Sequence, residues 1–267
     1  MMYRILILLF ASAMIISSCD VERPPTETPS SEYFPPFTVE TQSINREYGN
    51  CETDTSRTCT TVAFLYQTVA DTARTQASDK INAEIEASIM EILGYDSIED
   101  QSLNGVADVF IDDYRNLATS FPDAFGWQMN VSGEVLRNDS AFLVIRIQTE
   151  AYTGGAHGNY NLQFLNFDPI TGDKITLDDL FKPGYEEILN KISLNTFRDI
   201  RNLGADEDPA SSGFSFEGDR YFNPDNFALL KDEILFYFNH YEIAPYSAGP
   251  TTIDIPWVEL KDIVSSQ

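Results

Sequence analysis

The spacing of apolar residues along the chain predicts alternating strands and helices. Apolar and polar residues alternate through 60–69, a period of two that is typical of a half-buried strand. Isoleucines recur every four residues from Ile81 to Ile89, which predicts an amphipathic helix over 78–93, capped by Ser78 and ended by Gly94. The same two periods predict further helices at 103–120 and 184–203 and further strands at 37–47, 127–136, 141–152, 159–167, 227–230, 233–238 and 251–255.

The order of these elements predicts an α+β fold of mostly antiparallel sheets with packed helices, in two similar-sized modules. We place the first module at 37–149 and the second at 150–267. In the second, the helix at 184–203 is predicted to bury one stripe of side chains, namely Ile188, Ile192, Thr196 and Ile200.

The N-terminus has the pattern of a targeting segment. Arg4 precedes a largely apolar run at 5–16, which at ~1.5 Å per residue is too short to cross a ~30 Å hydrocarbon layer. We therefore predict a signal peptide at 1–18. The residues 16–19, Ile-Ser-Ser-Cys, resemble the bacterial lipoprotein signal, which implies acylation of Cys19 with fatty acids such as palmitate; an ordinary signal peptide with a stray cysteine is the alternative. The proline-rich segment 19–36 is predicted to be a disordered tether.

The cysteine count fits an exported protein. Once Cys19 is assigned to the lipid, Cys51 and Cys59 remain as a pair in an oxidising compartment. We predict that they form a disulfide that closes a hairpin, and two free thiols are the alternative.

The charge restricts the class of partner. The chain has 42 acidic and 17 basic residues, a formal net charge of -25, and the acidic excess is spread over both halves. Such a surface repels nucleic acid and attracts cationic proteins. Solubility alone is the other explanation for this charge.

The densest unusual chemistry lies in a glycine-rich turn and a tyrosine-bearing loop. We predict that these two segments bind a ligand, because loops between strands often carry recognition residues and a tyrosine ring with a polar tip suits an interface. A structural role for His157 is the alternative. The predicted binding residues are Tyr152, Thr153, Gly154, Gly155, His157, Gly158, Tyr241 and Tyr246.

The familiar catalytic and metal-binding motifs do not occur. The sequence has neither a Gly-x-Ser-x-Gly elbow nor a His-Glu-x-x-His pair, and a zinc site would need both of the histidines, His157 and His240. The acidic stretch 168–179 has Ile170 and Gly172 where a calcium loop needs oxygen ligands. We therefore predict no catalytic residue, no metal and no cofactor.

Several runs resemble one family. The residues 152–158, Tyr-Thr-Gly-Gly-Ala-His-Gly, together with 166–168, 177–181 and 241–249, resemble the extracellular domain of the RsiV anti-sigma factors, which bind lysozyme. The same modules are similar to the noncatalytic portion that precedes the deacetylase domain of some peptidoglycan deacetylases. We identify neither a sigma-binding segment nor a deacetylase domain here, so the expectation is a binding protein and not an enzyme.

The resemblance implies a lipid-anchored binding protein of the bacterial cell envelope, facing the periplasm or the surface. Its expected partner is a cationic protein such as lysozyme, or a cell-wall component, and the N-terminal lipid is its expected contact with the membrane. Two alternatives stay open: an enzyme or enzyme accessory that acts on peptidoglycan or polysaccharide, and a structural envelope lipoprotein.

Overall fold

The structure is a computed structural model that describes residues 35–51 and 59–265. The predicted signal peptide, Cys19 and all but the last two residues of the predicted tether lie outside the described residues. The strands are β1 (Thr38–Gly49), β2 (Cys59–Ala70), β3 (Gln128–Asn138), β4 (Leu143–Tyr152), β5 (Asn159–Phe167), β6 (Phe227–Leu229), β7 (Glu233–Phe238) and β8 (Thr251–Pro256). The α-helices are α1 (Thr75–Leu93), α2 (Leu103–Ser120), α3 (Leu177–Leu180), α4 (Glu186–Arg201) and α5 (Trp257–Leu260).

The first five strands form one sheet in the order β1-β2-β3-β4-β5. Neighbouring strands are antiparallel except for β2 and β3, which are parallel. This exception follows from the connection, because α1 and α2 lie between these two strands in the chain and carry it back to the same end of the sheet.

The helix α1 forms where the isoleucine period predicted it. Ile81, Ile85 and Ile89 are fully buried in a core that is shared with the first sheet and α2. Gly94 ends the helix with a φ of +76°, as predicted. The predicted cap was wrong: the helix begins at Thr75, and Ser78 is buried within it, where its hydroxyl donates to the Arg74 carbonyl at 3.2 Å.

The strands β6, β7 and β8 form a second, antiparallel sheet over a second core. The stripe predicted for α4 was wrong by one position, because the helix buries Leu189 and Phe197 while Ile188 and Ile200 are exposed. The larger aromatic side chain sets this rotation, since Phe197 packs against two further phenylalanine rings in this core, those of Phe214 and Phe216.

The strands β4 and β5 contribute to both cores. Leu143 and Leu165 lie in the first core, whereas Val144 and Phe164 point to the opposite face and lie in the second. The two cores and mostly antiparallel sheets confirm the predicted α+β fold. The boundary proposed between 149 and 150 falls inside β4, so the first sheet continues across it.

A buried asparagine joins the two sheets. The Asn166 side chain is 3% exposed; its amide nitrogen donates to the Phe227 carbonyl at 2.7 Å and its amide oxygen accepts from the Leu229 backbone N–H at 2.9 Å. One side chain on β5 therefore takes the place of a neighbouring strand for the backbone of β6.

The predicted disulfide is confirmed. Cys51 and Cys59 are bonded at the end of the β1–β2 hairpin, where Gly49 pairs with Cys59. A bridge over so short a loop contributes about 2 kcal/mol in a loop-entropy estimate, so it restrains the hairpin end and does not hold the fold together.

Candidate functional site: an aromatic rim

The glycine-rich turn is an exposed connection between β4 and β5. Gly154 and Gly155 have φ values of +105° and +101°, a region that side chains with a Cβ avoid. The Tyr152 hydroxyl donates to the Gly155 carbonyl at 3.1 Å and so closes the turn on itself. Thr153 and His157 are exposed on this turn, and Gly158 leads into β5.

The His157 ring is held by one hydrogen bond on each nitrogen. Its Nδ1 lies 2.9 Å from the Gly158 carbonyl, which can only accept, so Nδ1 carries the proton in the neutral ring. Its Nε2 is then an acceptor for the Tyr241 hydroxyl at 3.1 Å. The turn and the tyrosine loop, 84 residues apart in sequence, are therefore in direct contact.

A second tyrosine lies between the two histidines of the chain. The Tyr246 ring stacks on His157 with ring centroids 4.1 Å apart and on His240 with centroids 4.4 Å apart. The two imidazoles occupy opposite faces of the tyrosine, because both cannot stack this closely on one face without a clash. We call these four residues, His157, His240, Tyr241 and Tyr246, the aromatic rim.

A small cavity of about 130 Å³ lies beside the rim. His240, Tyr160 and Asn239 are among the residues that line it. The Tyr160 hydroxyl donates to Glu150 at 2.6 Å, and this hydrogen bond to a carboxylate raises the pKa of Tyr160. The rim therefore adjoins a polar recess that offers hydroxyl, amide and imidazole groups.

The structure brings together part of the predicted binding set. His157, Tyr241 and Tyr246 meet in the rim, whereas Thr153, Gly154 and Gly155 form the exposed turn that presents His157. Sequence reasoning did not select Tyr160 or Asn239. The alternation along β5 could have placed Tyr160 on the edge of the site, but no local signal marks Asn239.

The rim has no arrangement suited to a metal ion. In the described ranges, no three or more histidine, cysteine or acidic side chains are grouped as metal ligands. His157 and His240 are kept apart by the Tyr246 ring.

Among the helices that the structure describes, none has the length and apolar content needed to span a bilayer.

Two family models match separate segments of the chain. The model described as Deacetylase PdaC matches residues 54–160, and the model described as Protein of unknown function (DUF3298) matches residues 178–258. A curated relative, the peptidoglycan-N-acetylmuramic acid deacetylase PdaC of Bacillus subtilis (strain 168), is 27% identical over 143 residues. That alignment covers 52% of this chain and 30% of the relative, so the chain spans less than a third of that deacetylase.

The fold is that of solved DUF3298 proteins. A member of this family from Bacteroides fragilis NCTC 9343 superposes with a TM-score of 0.71 at 23% identity, over 88% of this chain and 96% of that one. A DUF3298 family protein from Pseudomonas aeruginosa PAO1 superposes with a TM-score of 0.63 at 21% identity, over 86% of this chain and 95% of that one.

These matches change one expectation from the sequence. The prediction that the chain is not an enzyme is contradicted, because the matched model and the curated relative are both named for a deacetylase. Short catalytic motifs do not represent similarity over a whole segment, so their absence carries no information about this relationship. The resemblance to the RsiV ectodomain remains a hypothesis.

Proposed function

We propose that this protein acts in the bacterial cell envelope on peptidoglycan, and that the aromatic rim is the surface that holds its ligand. One observation carries the proposal: the rim forms where the two matched segments meet. His157 lies in the segment that matches PdaC, and His240, Tyr241 and Tyr246 lie in the segment that matches DUF3298.

The rim has the properties of a preorganised binding surface. Its rings are fixed by stacking and by the hydrogen bond between Tyr241 and His157, so little side-chain entropy is lost when a ligand binds. Tyr241 is 62% exposed and the adjoining recess is polar. A sugar ring needs this combination, an aromatic face for its C–H groups and polar groups for its hydroxyl and amide groups.

Retention of the full chain on insoluble peptidoglycan tests the proposal. We expect the protein to sediment with peptidoglycan and expect Tyr246→Ala to weaken retention about tenfold, because the stacked rings lose their central member. Phe121→Ala is the matched control, since Phe121 is an aromatic residue 63% exposed at the end of α2 and outside the rim. Acetate release in the same mixtures measures deacetylation of the bound glycan.

Two results would contradict parts of the proposal. A protein that neither sediments with peptidoglycan nor releases acetate from it does not act on this polymer. Equal retention of wild type and Tyr246→Ala would remove the rim from the binding surface.

Envelope attachment through a lipid on Cys19 is part of the proposal. The apolar run at 5–16 followed by Ile-Ser-Ser-Cys supports it. Mass spectrometry of the mature N-terminal peptide from cell membranes tests it, because acylation adds the mass of the fatty acids to a peptide that begins at Cys19. A mature chain that starts elsewhere would contradict it.

A cationic protein of the lysozyme class is a second candidate ligand. The net charge of -25 favours it, because a strongly acidic protein attracts cationic partners over long range. Mixing the full chain with lysozyme should give a complex that weakens as salt rises from low to physiological concentration. The absence of a complex at both salt concentrations would exclude this ligand.

A further inference from the structure

The outer edge of β5, on the side away from β4, is covered by asparagine side chains. The Asn226 amide oxygen accepts from the Phe164 backbone N–H at 2.9 Å, and its amide nitrogen donates to the Leu162 carbonyl at 2.7 Å. Asn239 bonds both the N–H and the carbonyl of Leu162, at 2.8 and 3.0 Å. These backbone groups are therefore already occupied where an added strand would need them.

Two cavities follow this covered edge. The larger one, of about 590 Å³, is lined by Phe164, Asn226 and Asn239 among others, and it shares Leu162 and Asn239 with the small cavity beside the rim. We call these two adjoining cavities the β5 groove. The part of β5 that lines the two cavities, from Tyr160 to Phe164, is about 13 Å long at ~3.3 Å per strand residue.

The β5 groove suits a linear polymer that contacts side chains of the protein and not its backbone groups. Since the asparagine amides occupy the backbone edge, a peptide strand cannot extend the sheet at Leu162 or Phe164. The groove instead offers aromatic rings and amide groups, including Phe222 and the remaining N–H groups of Asn226 and Asn239. This lining fits a chain of sugar rings.

The charge of the groove selects the form of the sugar. Three charged side chains line the larger cavity: Lys174, Asp225 and Glu242. Lys174 is paired with Glu84 at 3.1 Å, whereas within the described part of the chain neither Asp225 nor Glu242 forms an ion pair. The Glu242 carboxylate accepts from the Asn239 backbone N–H at 2.7 Å, and desolvation raises the pKa of Glu242. Neither carboxylate has a cationic partner among the described residues, and a ligand ammonium group would supply one.

We infer that the β5 groove binds a linear glycan whose amino sugars carry free amino groups. The inference rests on the proposed function, since removal of the acetyl group from an N-acetylated sugar leaves such an amine. It goes further than that function because it names the glycan form and assigns Asp225, Glu242, Asn226 and Asn239 to its recognition.

Two matched oligosaccharides test the inference by calorimetry with the full chain. One is a β-linked N-acetylglucosamine tetrasaccharide and the other is the same tetrasaccharide with all acetyl groups removed. We expect the free-amine form to bind at least about tenfold more tightly, because charge-assisted hydrogen bonds to carboxylates form only with the ammonium. The double variant Asp225→Asn and Glu242→Gln should remove this preference.

A control with the same change of charge separates the groove from general attraction to an acidic protein. Glu40→Gln with Glu47→Gln removes two charges on β1, at the opposite edge of the same sheet. It should keep the preference for the free-amine sugar.

Several outcomes would overturn the inference. They are the absence of binding by the free-amine tetrasaccharide, equal binding of the two tetrasaccharides, and equal losses in the groove variant and the β1 control. Retention on whole peptidoglycan that persists with any of these outcomes would leave the proposed function intact and reject only the groove.

Discussion

Replacing Arg74 with methionine is expected to lower the free energy of unfolding by about 3 kcal/mol, because the Asp71 carboxylate and two backbone carbonyls lose the buried guanidinium that binds them. The Arg74 side chain is 4% exposed and pairs with Asp71 at 2.5 Å. It also donates to the carbonyls of Pro169 at 3.0 Å and Pro35 at 2.6 Å, and it lies 4.0 Å above the Phe37 ring. One side chain thus joins the start of α1 to two distant segments.

Denaturant unfolding of the full chain measures this loss. Arg46→Met is the matched control, because Arg46 is paired with Asp108 at the surface and exposed pairs contribute about 1 kcal/mol or less. A loss for Arg74→Met no greater than that of the control would contradict the prediction.

The same pair gives a pH dependence with a definite sign. The hydrogen bond from Arg74 lowers the pKa of Asp71 below its ordinary value. A lowered folded-state pKa stabilises the protein above the unfolded pKa, and this stabilisation disappears as the pH falls through the folded value. Wild type should therefore lose more stability than Arg74→Met between neutral and acidic pH.

Replacing Asn166 with leucine is expected to lower the free energy of unfolding by a similar amount, about 3 kcal/mol. The reason is that two buried backbone groups lose their hydrogen-bond partners, at about 1 to 3 kcal/mol each. The groups are the Phe227 carbonyl and the Leu229 N–H, which the Asn166 amide bonds between β5 and β6. Leucine has the branching and the number of heavy atoms of asparagine but neither a donor nor an acceptor.

Unfolding in denaturant and amide hydrogen exchange at Leu229 check this prediction together. Asn45→Leu is the control, since Asn45 is exposed on β1 and its side-chain amide donates to the Ser43 hydroxyl two residues away. Unchanged stability together with unchanged exchange at Leu229 would show that the amide is dispensable.

The elements with a regular period could be predicted from the sequence. The stripe of α1 and the alternation of β5 depend on neighbours within a few residues, and the observed bounds of β5, Asn159–Phe167, match the prediction. The rotation of α4 could not be predicted in this way, because the choice between Ile188 and Leu189 depends on aromatic rings far away in the chain.

The functional site shows the same difference between features that depend on near neighbours and features that depend on distant residues. Its individual residues were visible, since His157, Tyr241 and Tyr246 stand in glycine-rich and aromatic loops. The β5 groove could not be predicted, because Asn226 and Asn239 acquire their roles only when their side chains reach the backbone of Leu162 and Phe164. Side-chain bonds to a distant strand leave no periodic trace in a sequence.

The position of Tyr246 gives the protein an internal spectroscopic probe. The chain has two histidines, and both imidazoles stack on this one ring. A nuclear magnetic resonance spectrum of the imidazole groups therefore contains signals from the rim alone, shifted by the ring current of the tyrosine. A ligand that separates these rings changes the chemical shifts of the imidazole signals, so its binding can be detected without a label.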